Sequence, residues 1–253
     1  MAELKEPLKN FSVVFLSAGR GYRLGKVGKK KPKCLINING KTIILRLVEI
    51  LTLKGLKELN IILGYKHKMI LKELKKIKSI KINYIKMRDY INTGSVYSLY
   101  NFKKLWLKHQ KQKPILMFHT DIIFDQRYLE NIILSKHKNL IGVKNSNTKS
   151  ISPNKFVVKA SKSMRIEKIG RHINCKPAFG EVLCINKFSV FMFKKLLIFL
   201  KEYFKEKTNN VTWEYPLSEF SKRNHLYVLK NQNYKWVNVN TIKDLNIAKK
   251  LFL

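Results

Sequence analysis

Short apolar runs alternate with an amphipathic helical pattern at the start of the chain, and this alternation is the feature that most constrains the fold. Residues 11–18, FSVVFLSA, form an apolar run that ends at Gly19, and residues 59–64, LNIILG, form the next one. Between them, residues 42–54 place apolar side chains at the three- and four-residue spacing of one helical face. Strand, helix and strand in this order predict a βαβ unit with two parallel strands.

The same alternation continues beyond this unit. Thr42 is predicted to cap the first helix and Gly55 to end it. The next elements are predicted as a helix over 67–77, a strand over 80–86, a helix ending at Trp106, and a strand over 114–121, PILMFHTD. Repeated βα units predict an α/β fold with an open, mostly parallel sheet and helices on both faces.

From about residue 140 the pattern changes to short strands, which predicts a small mixed or antiparallel extension. These strands are IGVK (141–144), KFVVKA (155–160) and EVLCI (181–185), followed by helices over 187–205 and 212–222, a strand over 236–240 and a helix over 241–253. The sequence shows no internal repeat or linker, so we expect one continuous domain over 1–253.

The formal net charge is +36, from 52 Lys and Arg against 16 Asp and Glu. One interpretation is a protein that binds polyanions such as nucleic acid, a membrane surface or phosphorylated small molecules. The other is a compositional drift toward Lys and Asn, because the lysines are spread over the whole length. No interleaved aromatic and glycine signature of RNA binding is present, so no specific nucleic-acid partner is predicted.

The three cysteines, Cys34, Cys175 and Cys184, have no CxxC spacing and no His at zinc-like intervals. This predicts neither disulfides nor a zinc site, and it fits a reducing cytoplasm. No signal peptide is expected, because the opening residues MAELKEPLKN are polar, and no run of about 18 apolar residues predicts a transmembrane segment.

A loop rich in glycines and cations follows the first predicted strand. It contains Gly19, Gly21, Arg23 and Lys33, and glycines in this place let backbone N–H groups approach a phosphate. A dinucleotide fingerprint would need a third glycine where Leu24 stands, and the spacing of a P-loop is also absent. Arg23 and Lys33 are therefore candidates to neutralise a polyphosphate bound by a different kind of loop.

The segments LSAGRGYRL and KKKPKCLININGK resemble the N-terminal signature of the sugar-nucleotidyltransferase-like superfamily. The resemblance implies a Rossmann-like open mixed sheet flanked by helices, with nucleotide binding in residues 11–140 and acceptor binding in residues 141–253. It implies catalytic roles for Arg23 and Lys33. It also implies that the nucleotide is bound by Leu16, Ala18, Gly19 and Gly21. The short loop between Leu24 and Pro32 is similar to that of the cytidylyltransferase branch, which uses CTP.

The segment NTGSVYSLY, residues 92–100, resembles one in phosphocholine and aminoethylphosphonate cytidylyltransferases that lies near the base and the acceptor. The resemblance implies that Asn92 and Ser95 bind the nucleotide, since Asn and Ser side chains can hydrogen-bond to a pyrimidine edge. It implies acceptor binding for Tyr97. A competing interpretation is that Ser95 simply caps the following helix.

Asp121 ends a predicted strand where the resembled family holds Mg²⁺, and we expect it to be the metal ligand and a catalytic residue. The family's second metal carboxylate lies in a motif near the C-terminus, and here that position is Asn240. An Asn carbonyl can ligate Mg²⁺ without contributing charge. Asp125 is predicted to be a turn or cap residue, and Thr241 is predicted to cap the last helix.

On the acceptor side, the resemblance implies roles for Glu181 and Glu214, which stand in the segments GEVL and TWE. Carboxylates and aromatic faces suit an acceptor that carries a cation. Solvated helix-end acids and core aromatics remain the alternative. The acceptors considered are phosphocholine, aminoethylphosphonate, and phosphoryl groups used in capsule and lipid decoration, such as phosphoglutamine or phosphoramidate.

The implied reaction is attack by an acceptor phosphate oxygen on the α-phosphorus of CTP, with release of pyrophosphate. That oxygen is already anionic near neutral pH, so the reaction needs positioning and charge neutralisation more than a general base. A sugar-1-phosphate nucleotidyltransferase is one alternative. A basic nucleic-acid or membrane-surface binding protein with a degenerate site is another. A homodimer is possible under each hypothesis.

Overall fold

The computed structural model describes residues 7–110, 112–144, 155–171, 173, 180–231 and 233–252. Cys175 lies outside these ranges. The strands are β1 (Ser12–Ser17), β2 (Asn37–Ile38), β3 (Lys41–Thr42), β4 (Glu58–Leu63), β5 (Lys81–Lys86), β6 (Ile115–His119), β7 (Ile122–Phe124), β8 (Leu140–Lys144), β9 (Val157–Ala160), β10 (Ile166–Gly170), β11 (Gly180–Phe188), β12 (Tyr227–Lys230) and β13 (Trp236–Asn238). The α-helices are α1 (Lys26–Lys30), α2 (Ile43–Leu53), α3 (His67–Leu74), α4 (Ser95–Leu105), α5 (Gln126–Leu134), α6 (Val190–Glu206), α7 (Glu214–Arg223) and α8 (Ile242–Leu251).

Nine strands form the main sheet, and its first half is parallel as predicted. The order is β10-β9-β11-β6-β1-β4-β5, with β8 also paired to β11, and β12 paired to β8. Strand β1 lies between β4 and β6 and is parallel to both. Strand β11 runs antiparallel to β6, β8 and β9, which is the antiparallel extension expected in the second half.

Alternate side chains of β1 face two separate hydrophobic clusters, one on each side of the sheet. Val13 and Phe15 belong to the cluster packed by α2, α3, α5 and α8, whereas Val14 and Leu16 belong to the cluster packed by α4, α6 and α7. All six residues of β1 are buried, which explains why its sequence reads as a continuous apolar run. The prediction of helices on both faces is confirmed.

Several local predictions are confirmed. The Asn-Gly pair in CLININGK predicts a tight turn at the end of a short strand, and Asn39 and Gly40 have positive φ angles, 48° and 87°, in the turn between β2 and β3. The Asp125 side chain accepts a hydrogen bond from the backbone of α5, and Thr241 forms a capping box with Asp244 at the start of α8.

The expected Thr42 cap is wrong, because its hydroxyl donates to Glu73 Oε1 at 3.0 Å instead of accepting from the backbone of α2. The sequence analysis also missed α5, β10 and β12. Within the described ranges, no helix is both long and apolar enough to cross a membrane.

Candidate active site

A cavity of about 570 Å³ opens at the carboxyl ends of β1 and β6. Ligands of open α/β sheets bind at this edge, because the loops that follow adjacent strands diverge there. Most of the residues singled out from the sequence line the cavity: Leu16, Ala18, Gly19, Gly21, Arg23, Lys33, Ser95, Asp121, Glu181, Glu214 and Asn240.

The glycine-rich segment after β1 was expected to be a loop, but it contains a 3₁₀ turn, Tyr22–Leu24, and the short helix α1. Leu24 is fully buried and anchors the segment in the core. Gly21 has a φ of 70°, and a Cβ there would lie 2.6 Å from Cγ of Lys33. The glycine therefore lets the Lys33 side chain pass closely along the backbone.

Two side chains from the turn after β4 hold the end of α1. The Tyr65 hydroxyl donates to the Lys29 carbonyl at 2.7 Å, and Lys66 Nζ donates to the carbonyls of Lys29 and Lys30 at 2.8 Å. These carbonyls have no partner further along so short a helix, so the contacts satisfy its C-terminus.

Four side chains that are distant in sequence meet at the centre of the cavity. Lys33 Nζ donates to Asp121 Oδ2 at 3.0 Å and also to Asn240 Oδ1. Arg23 Nη2 donates to the same Asn240 oxygen at 2.7 Å. The backbone N–H of Val239 donates to the Asp121 carbonyl at 2.7 Å, which holds the segment after β13 against the end of β6.

The Asp121 carboxylate is ionised by its surroundings. Burial alone raises the pKa of Asp121, but the charge and hydrogen bond of Lys33 outweigh burial and hold the pKa below its usual value. Asp121 Oδ1 is buried and makes no hydrogen bond with any described residue. This free carboxylate oxygen is a suitable ligand for a hard cation.

The Asn240 side chain is oriented by its neighbours. Its Nδ2 donates to Asn238 Oδ1 at 2.5 Å, so its carbonyl oxygen points toward Lys33 and Arg23. No cluster of three or more His, Cys, Asp or Glu suited to a metal occurs in the described ranges. Mg²⁺ nevertheless fits, because it is often held by one or two protein oxygens while phosphates and water fill its other positions.

The cavity is also lined by a second group of side chains, made of four charged residues and one aromatic ring: Lys155, Arg171, Glu181, Glu214 and Phe156. Lys155 Nζ and Glu181 Oε1 form an ion pair at 2.7 Å. The Arg171 guanidinium lies over the Phe156 ring, 4.6 Å from its centroid. The first half of the fold therefore lines the cavity with Arg23, Lys33 and Asp121, and the second half adds these further charged side chains.

Glu214 begins α7 and is buried, with 6% of its surface exposed. Its Oε2 atom has no hydrogen-bond partner among the described residues. Burial raises the pKa of Glu214 to about 7 and outweighs the smaller opposing effects of the Thr212 hydroxyl, a backbone N–H and the charge of Arg171. Nearby, the His119 ring packs edge-on against Trp213, and burial lowers the pKa of this imidazole.

Two of the sequence-predicted residues do not line the cavity, namely Asn92 and Tyr97. The Asn92 amide donates to Asp89 Oδ1 at 2.7 Å on the exposed surface, and the Tyr97 ring packs edge-on against Phe204. Ser95 does line the cavity, but it is no cap. Its hydroxyl accepts from the Trp213 backbone N–H at 3.1 Å, and Gly94 occupies the N-cap position of α4.

The sequence analysis missed Lys155 and Arg171. Neither residue belongs to a recognised motif, and both reach the cavity through the pairing of β9 with β10 and β11. The only sequence signal was Lys155 at the start of the predicted strand over 155–160, and a basic residue in that place is common in a chain with this many lysines.

The mostly parallel sheet, the glycine-rich segment and the carboxylate at the strand ends define a Rossmann-like α/β protein with its site at the carboxyl edge of the sheet. The profile of the nucleotidyl transferase family matches residues 12–252, and the chain belongs to this family.

Among curated relatives, the chain is 28% identical over 138 residues to CTP:phosphoglutamine cytidylyltransferase of Campylobacter jejuni. That match covers 53% of this chain and 53% of the relative, so the chain matches about half of the relative's length.

Two solved structures share the fold over nearly the whole chain. The inositol-1-phosphate CTP transferase from T. maritima has a TM-score of 0.77 at 17% identity, covering 95% of both chains. The CTP:phosphocholine cytidylyltransferase from Streptococcus pneumoniae has a TM-score of 0.76 at 15% identity, covering 96% of this chain and 100% of that one. The predicted superfamily and fold are therefore confirmed.

Proposed function

We propose that this protein is a Mg²⁺-dependent cytidylyltransferase that transfers CMP from CTP to a small phosphorylated or phosphonate acceptor and releases pyrophosphate. The family gives the general class of reaction. The choice of CTP is supported by the named nucleotide of the Campylobacter jejuni relative, together with the short loop between Leu24 and Pro32.

In this proposal, Arg23 and Lys33 neutralise the triphosphate and stabilise the charge that develops as pyrophosphate leaves. Their side chains are already held by Asn240 and Asp121, so little reorganisation is needed when the nucleotide binds. Asp121 Oδ1 would hold Mg²⁺, which supplies Lewis-acid neutralisation of phosphate oxygens when bound. The Asn240 carbonyl already accepts from both Lys33 and Arg23, so it would join the metal only after releasing one of them. The acceptor oxygen needs no protein base, because phosphate is anionic near neutral pH.

The observation that carries the proposal is the contact between Lys33 and Asp121. These residues are 88 positions apart, and their contact joins the glycine-rich segment to the carboxylate at the end of β6. A triphosphate and a metal ion need adjacent cationic and anionic groups of this kind.

The test is a pyrophosphate-release assay of ATP, CTP, GTP and UTP against phosphocholine, aminoethylphosphonate, phosphoglutamine and glucose-1-phosphate, with and without Mg²⁺. We expect release with CTP and one of the first three acceptors. Asp121→Asn and Lys33→Ala should each lower kcat by about 10²-fold or more. Glu202→Gln and Lys138→Ala, at exposed positions outside the cavity, are the matched controls and should leave kcat unchanged.

Full turnover by Asp121→Asn would contradict the proposal. Turnover with glucose-1-phosphate alone would instead favour a sugar-1-phosphate nucleotidyltransferase. No turnover together with steeply salt-dependent RNA binding would favour a polyanion-binding protein with a degenerate site.

A further inference from the structure

We propose that Asn238 and Cys184 are positioning residues that fix the orientation of the Asn240 amide. With its carbonyl held toward Arg23 and Lys33, this amide keeps both cations in place for a triphosphate. The inference rests on the proposed function and concerns the nucleotide side of the same cavity. It follows from a chain of hydrogen bonds that ends at a bulge of β11.

The hydrogen bonds of this chain all run in one direction, from the cations toward β11. Asn240 Oδ1 accepts from Arg23 and Lys33. Asn240 Nδ2 donates to Asn238 Oδ1 at 2.5 Å, and Asn238 Nδ2 donates to Cys184 Sγ at 3.7 Å. The oxygen and the NH₂ group of an amide have nearly the same shape, so packing alone does not select one orientation. The hydrogen-bond partners therefore decide which end of Asn240 faces the cations.

The orientation of Asn240 matters because a flipped amide would direct its NH₂ group at two cations. Arg23 and Lys33 would then lose their shared acceptor and face a donor instead. A bound triphosphate competes for the same two cations, and during that competition Asn238 is the partner that keeps the amide in place. A carboxylate at position 240 would present an oxygen in either orientation and would need no such partner.

Cys184 meets Asn238 at a bulge of β11. Between Val182 and Asn186 the register against β8 shifts, so that four residue steps on β11 lie against two on β8. Cys184 has a φ angle of 61°, a left-handed conformation that is unfavourable for a residue with a Cβ. Bulges next to active sites commonly redirect a side chain, and strain of this kind persists where the surrounding structure imposes it.

The bulge changes the side of the sheet that Cys184 faces. Leu183, Cys184 and Ile185 are consecutive, yet all three belong to the hydrophobic cluster packed by α2, α3, α5 and α8. In a regular strand the middle residue would face the opposite side. Cys184 and Asn238 both line the cavity. Burial raises the pKa of the Cys184 thiol well above its ordinary value, so its sulfur remains a neutral, weak acceptor for the amide.

The competing role for both residues is packing alone. Packing predicts the same loss from a change at Asn238 whether residue 240 is Asn or Asp. It also predicts that Cys184→Ser, which buries a hydroxyl, harms the protein at least as much as Cys184→Ala. Positioning predicts the opposite in both comparisons, because only an amide has a wrong orientation and because Ser keeps an acceptor where Ala has none.

The experiment introduces Asn238→Leu into the wild type and into Asn240→Asp. The Kd for CTP with Mg²⁺ is measured by calorimetry without acceptor, and KM and kcat are measured by pyrophosphate release. In the wild type we expect Kd and KM to rise about tenfold with a smaller change in kcat, the size typical of a lost hydrogen bond to a charged group. In Asn240→Asp the rise should stay below about twofold. Asn246→Leu, at an exposed position of α8 outside the cavity, is the matched control and should leave Kd unchanged.

The variants of Cys184 test the far end of the chain. Cys184→Ala should raise the Kd for CTP about threefold, whereas Cys184→Ser should stay close to the wild type, because sulfur and hydroxyl oxygen both accept from Asn238. Neither variant should change Kd in Asn240→Asp. Melting temperatures confirm that each variant is folded. If Asn238→Leu does not fold, the comparison of Cys184→Ser with Cys184→Ala decides.

Equal rises of Kd for Asn238→Leu in both backgrounds would overturn this inference and leave the cytidylyltransferase proposal standing. A larger loss in Cys184→Ser than in Cys184→Ala would also overturn it. If CTP is neither bound nor turned over, the proposed function fails, and inorganic tripolyphosphate with Mg²⁺ replaces CTP as the probe of the two cations. Wild-type protein that does not bind this probe either would overturn the inference as well.

Discussion

Replacing Glu214 by Gln should stabilise the ligand-free protein at high pH. The glutamine amide has nearly the same shape as the carboxylate but carries no charge, so the change removes the ionisation of a group that is 6% exposed. The pKa of Glu214 is raised by burial from the ordinary 4.5 to about 7. The folded protein thus holds a proton on this carboxyl that the unfolded chain releases at lower pH.

The sign and size of the effect follow from this difference. Because the folded-state pKa is the higher one, wild-type stability is fully present below pH 4.5 and is lost as the pH rises to about 7. At about 1.4 kcal/mol per pKa unit, the loss amounts to roughly 3 kcal/mol. The Glu214→Gln protein does not undergo this loss.

The assay is urea denaturation of wild type and Glu214→Gln at pH 5 and pH 8, without nucleotide or acceptor. Relative to wild type, we expect Glu214→Gln to gain most of about 3 kcal/mol in free energy of unfolding between the two pH values. Glu219→Gln, at a half-buried position of the same helix outside the cavity, should show no such gain. An identical difference between wild type and Glu214→Gln at both pH values would refute the conclusion that burial raises the pKa of this carboxyl above its value in the unfolded chain.

Three further predictions concern the nucleotide side of the cavity. Asn240→Asp should tighten Mg²⁺ binding to the nucleotide-free protein by about tenfold, measured by calorimetry, because it adds a charged oxygen ligand; unchanged affinity would contradict a ligand role for this position. Lys66→Met should raise KM for CTP a few-fold with little change in melting temperature, since it removes two hydrogen bonds to α1; an unchanged KM would show that these hydrogen bonds are not needed for CTP binding. Gly94→Ala should lower the free energy of unfolding by about 1–3 kcal/mol, because its Cβ would overlap the Val211 carbonyl; unaltered denaturation would contradict that tight contact.

Structural elements that depend on residues close together in the sequence were predicted correctly. The buried strand β1, the Asn39–Gly40 turn and the Thr241 cap depend on residues within a few positions of one another. Lys33 and Asp121 were also predictable as neighbours, because the carboxyl ends of adjacent parallel strands meet at one edge.

The failures occurred where the structure depends on distant contacts or on the rotation of a helix. Helix α4 turns Ser95 and Ser98 toward the cavity and Tyr97 toward Phe204, and the motif alone does not give this rotation. Arg171 reaches the cavity only through strand pairing in the antiparallel extension. Helix α5 was missed because it directly follows β7 and Asp125, and Asp125 was interpreted only as a turn or cap residue.

The Asn240 side chain also helps to decide between the two interpretations of the +36 net charge. Around the central contact, Arg23 and Lys33 contribute two positive charges and Asp121 one negative charge, so this cluster carries one net positive charge before any ligand binds. An acid at position 240 would cancel it, whereas the Asn carbonyl orients both cations and leaves their charge available to phosphate. Local attraction for a triphosphate therefore arises from a few placed side chains. The many lysines elsewhere are not needed to explain it, which favours the compositional interpretation of the overall charge.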